Sequence, residues 1–148
     1  MVAPFKPLGG SKITHIKKWY FAGQFARLEE LRSKAVSARA LADLIVMSRW
    51  LNQNPSSGYA GGSADTGRGF AERDLEDIMA ADGFLFFAED PTIGIPRGGR
   101  HIEMGYALAV GKVIEVIGPV ENVFHMLEDI VHYTTFEEWL EAKIAEVN

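Results

Sequence analysis

Four short segments that are apolar on both faces, set between amphipathic helical stretches, constrain this chain more than any other feature. They are Trp19-Tyr20-Phe21-Ala22, stopped by Gly23; Leu44-Ile45-Val46-Met47; Gly83 to Ala88; and Val113 to Ile117. A strand buried on both faces belongs to a parallel sheet covered by helices on each side. The intervening stretches supply those helices. Residues 26–42 carry Leu28, Leu31, Ala35, Ala38 and Leu41 at helical spacing. Residues 70–81 form a second helix, with Phe70, Leu75, Ile78 and Met79 expected inward and Glu72, Arg73 and Glu76 outward. A third runs over about 101–110 and is closed by Gly111 at the C′ position. After a short helix near 120–127 and a minimal strand at Ile130–Tyr133, the last helix starts at Phe136. Thr135 is its N-cap, and Glu138 stands at the capping-box position.

The alternation predicts an α/β fold with right-handed crossovers. Residues 1–16, with two prolines and a Gly-Gly pair, read as an irregular arm, and 17–148 as one domain. Asn52 to Gly69 reads as a long loop of the lid or binding kind. In open parallel sheets, ligands sit outside the carboxyl ends of the strands. The residues that could carry chemistry fall there: Gly23 to Arg27, Arg49 to Asn52, Glu89 to Arg100 and Gly118 to Asn122.

Composition removes several function classes. The net charge of -5 argues against a protein that coats a nucleic-acid polymer, which needs a basic footprint. The chain has no cysteine, which excludes disulfides, thiolate nucleophiles and cysteine-ligated metal. The histidines match no metal-ligand spacing, so neither a metal nor another cofactor is expected. No apolar run reaches the ~20 residues of a membrane span. No secretory signal is visible, so a reducing cytoplasm is the expected compartment.

Four constellations remain. In Gly98-Gly99-Arg100-His101-Ile102-Glu103-Met104-Gly105, the glycines let the chain turn, and Glu103 is expected in the first turn of the following helix. A carboxylate there is stabilised by the helix dipole and is a candidate nucleophile, although a first-turn glutamate can equally serve the dipole alone. Gly105 costs about 1 kcal/mol relative to alanine inside a helix, which points to close packing or to a ligand. In Glu72-Arg73-Asp74-Leu75-Glu76-Asp77, the two aspartates share a face one turn apart. They form either a solvated acidic face or, at Asp74, a group overhanging the crevice of Glu103. Gly23 permits close approach to the first strand-to-helix turn, but no phosphate-cradling glycine motif surrounds it. Asn122 either caps a helix or reaches a polar ligand.

These pieces, in this order, resemble the nucleoside 2-deoxyribosyltransferase family, including its 2′-deoxynucleoside 5′-monophosphate N-glycosidase branch. The residues that carry the resemblance are Tyr20-Phe21-Ala22-Gly23, the run Ala71 to Gly83 around Glu72-Arg73-Asp74-Leu75, and Gly99 to Lys112 around Glu103-Met104-Gly105-Tyr106-Ala107. The resemblance implies a flavodoxin-like (Rossmann-like) three-layer sandwich with a five-stranded parallel sheet. It implies that Glu103 attacks C1′ of a deoxyribose and forms a covalent glycosyl-enzyme. Asp74 would hold the sugar hydroxyls and orient the nucleophile, and Tyr20 would position the glutamate. Asn122, supplied by a neighbouring subunit of a homo-oligomer, would contact the 5′ end of the sugar. Asp90 matches the residue that helps protonate the leaving base, though the segment between it and Glu103 is longer than the family's. Trp50 and Asn52 are candidates for base contact, and Arg27, Arg97 and Arg100 for a 5′-phosphate, each arginine being equally explicable as a surface residue. The partner implied is a small nucleoside or nucleotide. Two other readings share the fold: a non-catalytic nucleotide-binding or sensing module, and an N-glycosidase of ribonucleotides or of a dinucleotide such as NAD.

Overall fold

The computed structural model describes residues 15–54, 64–89 and 98–148, with the side chains of 64–66 left aside. Five strands form one sheet: β1 (Lys18–Ala22), β2 (Ile45–Val46), β3 (Gly83–Phe87), β4 (Val113–Ile117) and β5 (Val131–Tyr133). Their order is β2-β1-β3-β4-β5 and every pairing is parallel. Four helices cover it: α1 (Leu28–Ala42), α2 (Ala64–Ala80), α3 (Gly99–Ala109) and α4 (Phe136–Val147). The expected α/β three-layer sandwich is what forms.

Alternation along β1 decides which face each aromatic ring meets. Trp19 and Phe21 point to the α1/α4 layer, where both pack edge-on against Trp139. Tyr20 points the other way, stacks on Phe84 and reaches α3. β3 is buried at all five positions, as a central strand covered on both faces must be. Phe87 joins the Phe21–Phe136 cluster on one side, while Phe86 meets His101 of α3 on the other.

Local signals hold at the helix ends. Gly111 adopts a left-handed φ of 78° just past α3. Thr135 Oγ1 accepts from the Glu138 amide at 3.2 Å, and the Glu138 carboxylate accepts from the Thr134 amide at 3.0 Å. Asn122 caps a 3-10 turn over Val123–Met126, accepting from the Phe124 amide, where a short helix was expected.

Three expectations change. First, α2 starts at Ala64 rather than about 70. Gly67 and Gly69, which read as loop, are helical with open space where a Cβ would stand. Second, the inward face of α2 is only in part the apolar one expected: Ile78 is buried as expected, and Glu72, Arg73 and Glu76 are exposed as expected. Leu75 and Met79 are exposed, whereas Asp77, Ile78 and Ala81 are buried and Asp74 is half-buried. Third, α3 begins at Gly99, so Glu103 lies beyond the first turn and outside the short reach of the helix dipole.

Candidate active site

Tyr20, Glu103 and Asp74 come together on the α2/α3 side of the sheet. Tyr20 is buried, and its hydroxyl donates to Glu103 Oε2 in a short hydrogen bond that spans 83 positions of sequence. Burial, then the negative charges of Glu103 and Asp74, push the Tyr20 phenol well above its ordinary range. It therefore stays a donor at any ordinary pH.

The two carboxyls are not ordinary. Burial, then the charge of Asp74, raises Glu103 to about 8, against a smaller lowering by the Tyr20 hydrogen bond. Burial, then the charge of Asp77, raises Asp74 to about 7, opposed by Arg73 and Arg49. Among the described residues neither Glu103 nor Asp74 stands in an ion pair with a lysine or arginine. The expected dipole-stabilised carboxylate is thus corrected: Glu103 holds its proton tightly, because nearby charge is of its own sign and water is scarce. Two carboxyls that titrate at about 7 and about 8, beside a fixed phenol, can in chemical terms supply an acid, a base or a nucleophile.

Arg27, Trp50, Arg100 and Asn122, also singled out in the sequence, have defined partners. Arg100 is 3% exposed, and both of its terminal nitrogens donate to Glu121, one in a short contact and Nη2 to Oε1 at 2.7 Å. Its guanidinium lies 4.9 Å over the Phe86 ring. Glu121 also accepts from the Glu89 amide at 3.1 Å. This knot ties the start of α3 to the ends of β3 and β4. Arg27 is held by Glu89 at 2.8 Å and by Glu30 at 2.5 Å. Asn122 turns its amide nitrogen to within 3.2 Å of His101 Nδ1, besides its capping bond. The Trp50 indole donates to the Phe21 carbonyl at 2.8 Å, and Asn52 is exposed at the end of the 3-10 turn Arg49–Asn52. Gly23 packs on Leu31, whose Cδ1 lies 2.4 Å from where a Cβ would be. Gly105 has open space at that position, so close packing does not explain it. Asp90 and Arg97 lie outside the described residues.

One pair escaped the reading of the sequence. Asp77 is 4% exposed and accepts from the Arg49 amide and from Arg49 Nε, both at 2.8 Å. The signal available was the shared face of Asp74 and Asp77; the partner, 28 positions away, was not visible. Among the described residues no group of three or more His, Asp or Glu is gathered to hold a metal ion. A groove lined by Leu75, Met79, Ala80 and Tyr106 opens between α2 and α3 on the outer surface and includes none of the three site residues.

The sequence matches no family model and no curated protein. Solved structures do match. A 2-deoxyribosyltransferase from the psychrotolerant bacterium Bacillus psychrosaccharolyticus superposes with a TM-score of 0.63 at 22% identity, covering 83% of this chain and 90% of that one. This chain has the fold of a nucleoside 2-deoxyribosyltransferase. The CMP N-glycosidase BcmB of Clostridium botulinum has the same architecture, with a TM-score of 0.54 at 20% identity, covering 84% and 96% of the two chains. The five-stranded parallel sheet, read from strand patterning, is the framework the chain shares with the deoxyribosyltransferase.

Proposed function

We propose that this chain is an enzyme that cleaves the N-glycosidic bond of a 2′-deoxynucleoside or 2′-deoxynucleoside 5′-monophosphate. Glu103 is the nucleophile. Its carboxylate attacks C1′, a C1′–oxygen bond forms, the bond to the base breaks, and that electron pair leaves with the base. The glycosyl-glutamate is then opened by water or by a second base, which separates a hydrolase from a transferase. The transition state is oxocarbenium-like, and a carboxylate beside C1′ stabilises its positive charge before capturing the carbon. Tyr20 holds Glu103 in place, and Asp74 receives the sugar hydroxyls. The observation that carries the reading is the Tyr20–Glu103 hydrogen bond, with a second high-affinity carboxyl acting on the same site. Enzymes of glycosyl transfer among the structural neighbours support it.

The raised proton affinity of Glu103 fits a nucleophile that must ionise to act. In the free protein it is mainly protonated at pH 7, so kcat/KM rises as pH climbs toward about 8. A proton acceptor is built in beside it, because Asp74 titrates near 7.

Arg27 and Arg100 each carry carboxylate partners already, so a 5′-phosphate would have to compete with Glu89, Glu30 and Glu121. Asn122 and the exposed side chains of Phe124 and Met126 lie on one surface stretch, in keeping with a homo-oligomer whose sites are shared. Among the described residues no helix is long and apolar enough to cross a membrane, and the proposed compartment is the cytoplasm.

The test is incubation with deoxynucleosides, their monophosphates and the matching ribonucleotides, with and without a second free base, followed by chromatography of released and exchanged bases. Glu103→Ala should lose at least about a thousandfold in rate, and mass spectrometry should find a glycosyl adduct on Glu103 in the wild type. Full activity in Glu103→Ala would refute the assignment. Preference for ribonucleotides would move the substrate class while leaving the chemistry. Tight binding with no base released from any substrate would favour the sensing module. Light scattering should show at least a dimer.

A further inference from the structure

The tripeptide Ser48-Arg49-Trp50 follows β2 and has no part in the reaction described above. It nonetheless grips two elements of the site at once. β2 ends at Val46, which stands opposite Trp19, two positions short of Phe21 on its neighbour β1. The backbone of Phe21 is therefore left without a strand partner on that side, and two side chains replace it. Ser48 Oγ accepts from the Phe21 amide at 2.6 Å, and the Trp50 indole donates to the Phe21 carbonyl at 2.8 Å. Phe21 is the residue after Tyr20. Between those two contacts, Arg49 turns to α2 and donates to Asp77 twice, from its backbone amide and from its guanidinium, one helical turn beyond Asp74. Arg49 Nη2 adds Glu76 at 2.9 Å. Both oxygens of the buried Asp77 carboxylate are filled by this one residue, its backbone supplying one bond and its side chain the other.

We propose that Arg49 and Asp77 are positioning residues for Asp74: through the bracket 48–50 they fix α2 against the strand that carries Tyr20, and so set where the Asp74 carboxyl stands relative to the Tyr20–Glu103 pair. A buried carboxylate with two charge-assisted bonds is far more restrictive than an apolar contact, because any displacement strands a charge away from water. The same pair also acts on Asp74 electrostatically, and its two members act in opposite directions. The charged and titratable groups that act on Asp74 are Arg73 and Asp77 on its own helix, Arg49 from the turn after β2, Glu103 from α3 and Tyr20 from β1. Asp77 raises its proton affinity, and Arg49 lowers it. The geometric claim needs no substrate; its consequence for turnover rests on the function proposed above.

The experiment is a carbon-detected NMR titration of the side-chain carboxyls in the ligand-free protein, for wild type, Asp77→Asn, Arg49→Gln and Arg49→Lys, with thermal melts alongside. Asp74 should titrate roughly one pH unit lower in Asp77→Asn and higher in Arg49→Gln, with Arg49→Lys close to wild type. Turnover, in a protein that cleaves its substrate, should fall on the order of tenfold in kcat in Asp77→Asn and Arg49→Gln, with KM little changed, and recover most of the way in Arg49→Lys. Charge removal at fixed geometry would move Asp74 in opposite directions but leave kcat on its pH plateau near wild type, and a merely structural role would lower stability alone; the fall in plateau kcat with KM little changed is what positioning adds. Asp74 titrating as in wild type in both, or moving the same way in both, overturns the proposal, as does an unchanged kcat. If Asp77→Asn does not fold, the two Arg49 variants decide it. If the wild type cleaves nothing, the functional reading fails, and nuclear Overhauser contacts between α2 and β1 in the same variants judge the positioning: contacts unchanged from wild type would overturn it.

Discussion

Each face of the sheet has a glutamate against it, Glu115 buried on one and Glu103 half-buried on the other, and the two faces treat it differently. On the α1/α4 side, Glu115 of β4 accepts from Trp139 Nε1 at 2.9 Å and pairs with Lys143 at 2.7 Å. Lys143 is itself buried, lies 5.0 Å from the Trp19 ring, and is held above its usual range by Glu115 despite its burial. On the α2/α3 side, Glu103 has a phenol and a second carboxyl beside it, and its proton affinity climbs instead. Glu115 has a cation against it, whereas Glu103 is lifted first by burial and then by the like charge of Asp74. One face uses its buried acid to hold helix to strand, whereas the other keeps an acid poorly compensated, which is the condition a reactive carboxyl needs.

That contrast can be broken from the paired side first. Glu115→Ala leaves the buried Lys143 ammonium with only the exposed Glu146 at 3.2 Å, and the Trp139 indole without its acceptor, and should cost about 3–5 kcal/mol in urea unfolding. The unpaired side should answer with the opposite sign. Glu103 and Asp74 bind protons more tightly folded than unfolded, where ordinary carboxylates titrate near 4. The stability this contributes is complete below about pH 4 and is lost as pH rises through about 7 and 8. Glu103→Gln removes one such group while keeping an acceptor for Tyr20. At pH 8 to 9 it should therefore be more stable than wild type by on the order of 2 kcal/mol, the gain vanishing near pH 4. Urea melts across that range that run parallel for the two proteins would defeat the account of the raised carboxyl.

A finer test concerns Tyr20. Its hydrogen bond lowers Glu103, so Tyr20→Phe should move the Glu103 titration, and the rising limb of kcat/KM, to higher pH by up to roughly one unit. A limb that stays in place would mean another group sets it. The smallest change expected is in the double substitution Glu115→Gln with Lys143→Met, which keeps an acceptor for the buried Trp139 indole. Removing both charges together strands neither, so unfolding free energy should stay within about 1 kcal/mol of wild type. A large loss there would mean that the ion pair stabilises beyond satisfying its own members.

Much of this architecture was legible because it depends on neighbours in sequence. The run Gly83 to Ala88 could only be a strand covered on both faces, and Thr135 with Glu138 marked a helix start to the residue. The α2 helix was misread at its start because Gly67 and Gly69 look like loop, yet a cost of about 1 kcal/mol each does not stop a helix that tertiary contacts support. Its face was misread as well. Leu75 and Met79 extend the apolar pattern around Ile78, but the inward side of α2 also carries Asp77, which Arg49 pairs, and the half-buried Asp74.

The three residues proposed for the chemistry, Tyr20, Asp74 and Glu103, were chosen on the sequence from strand ends, helix position and a family resemblance, and the fold assembles them. Their electrostatic state was not readable. What the sequence determined by itself was the set of elements and their order, since helix and strand periods and end signals are written within a few residues of one another. What tertiary structure alone decided was which charges meet. Arg100 is neutralised by Glu121, Asp77 by Arg49, and Glu103 by no cation among the described residues. Coulomb energy and desolvation depend on distance and burial between groups tens of residues apart, and no local pattern encodes either.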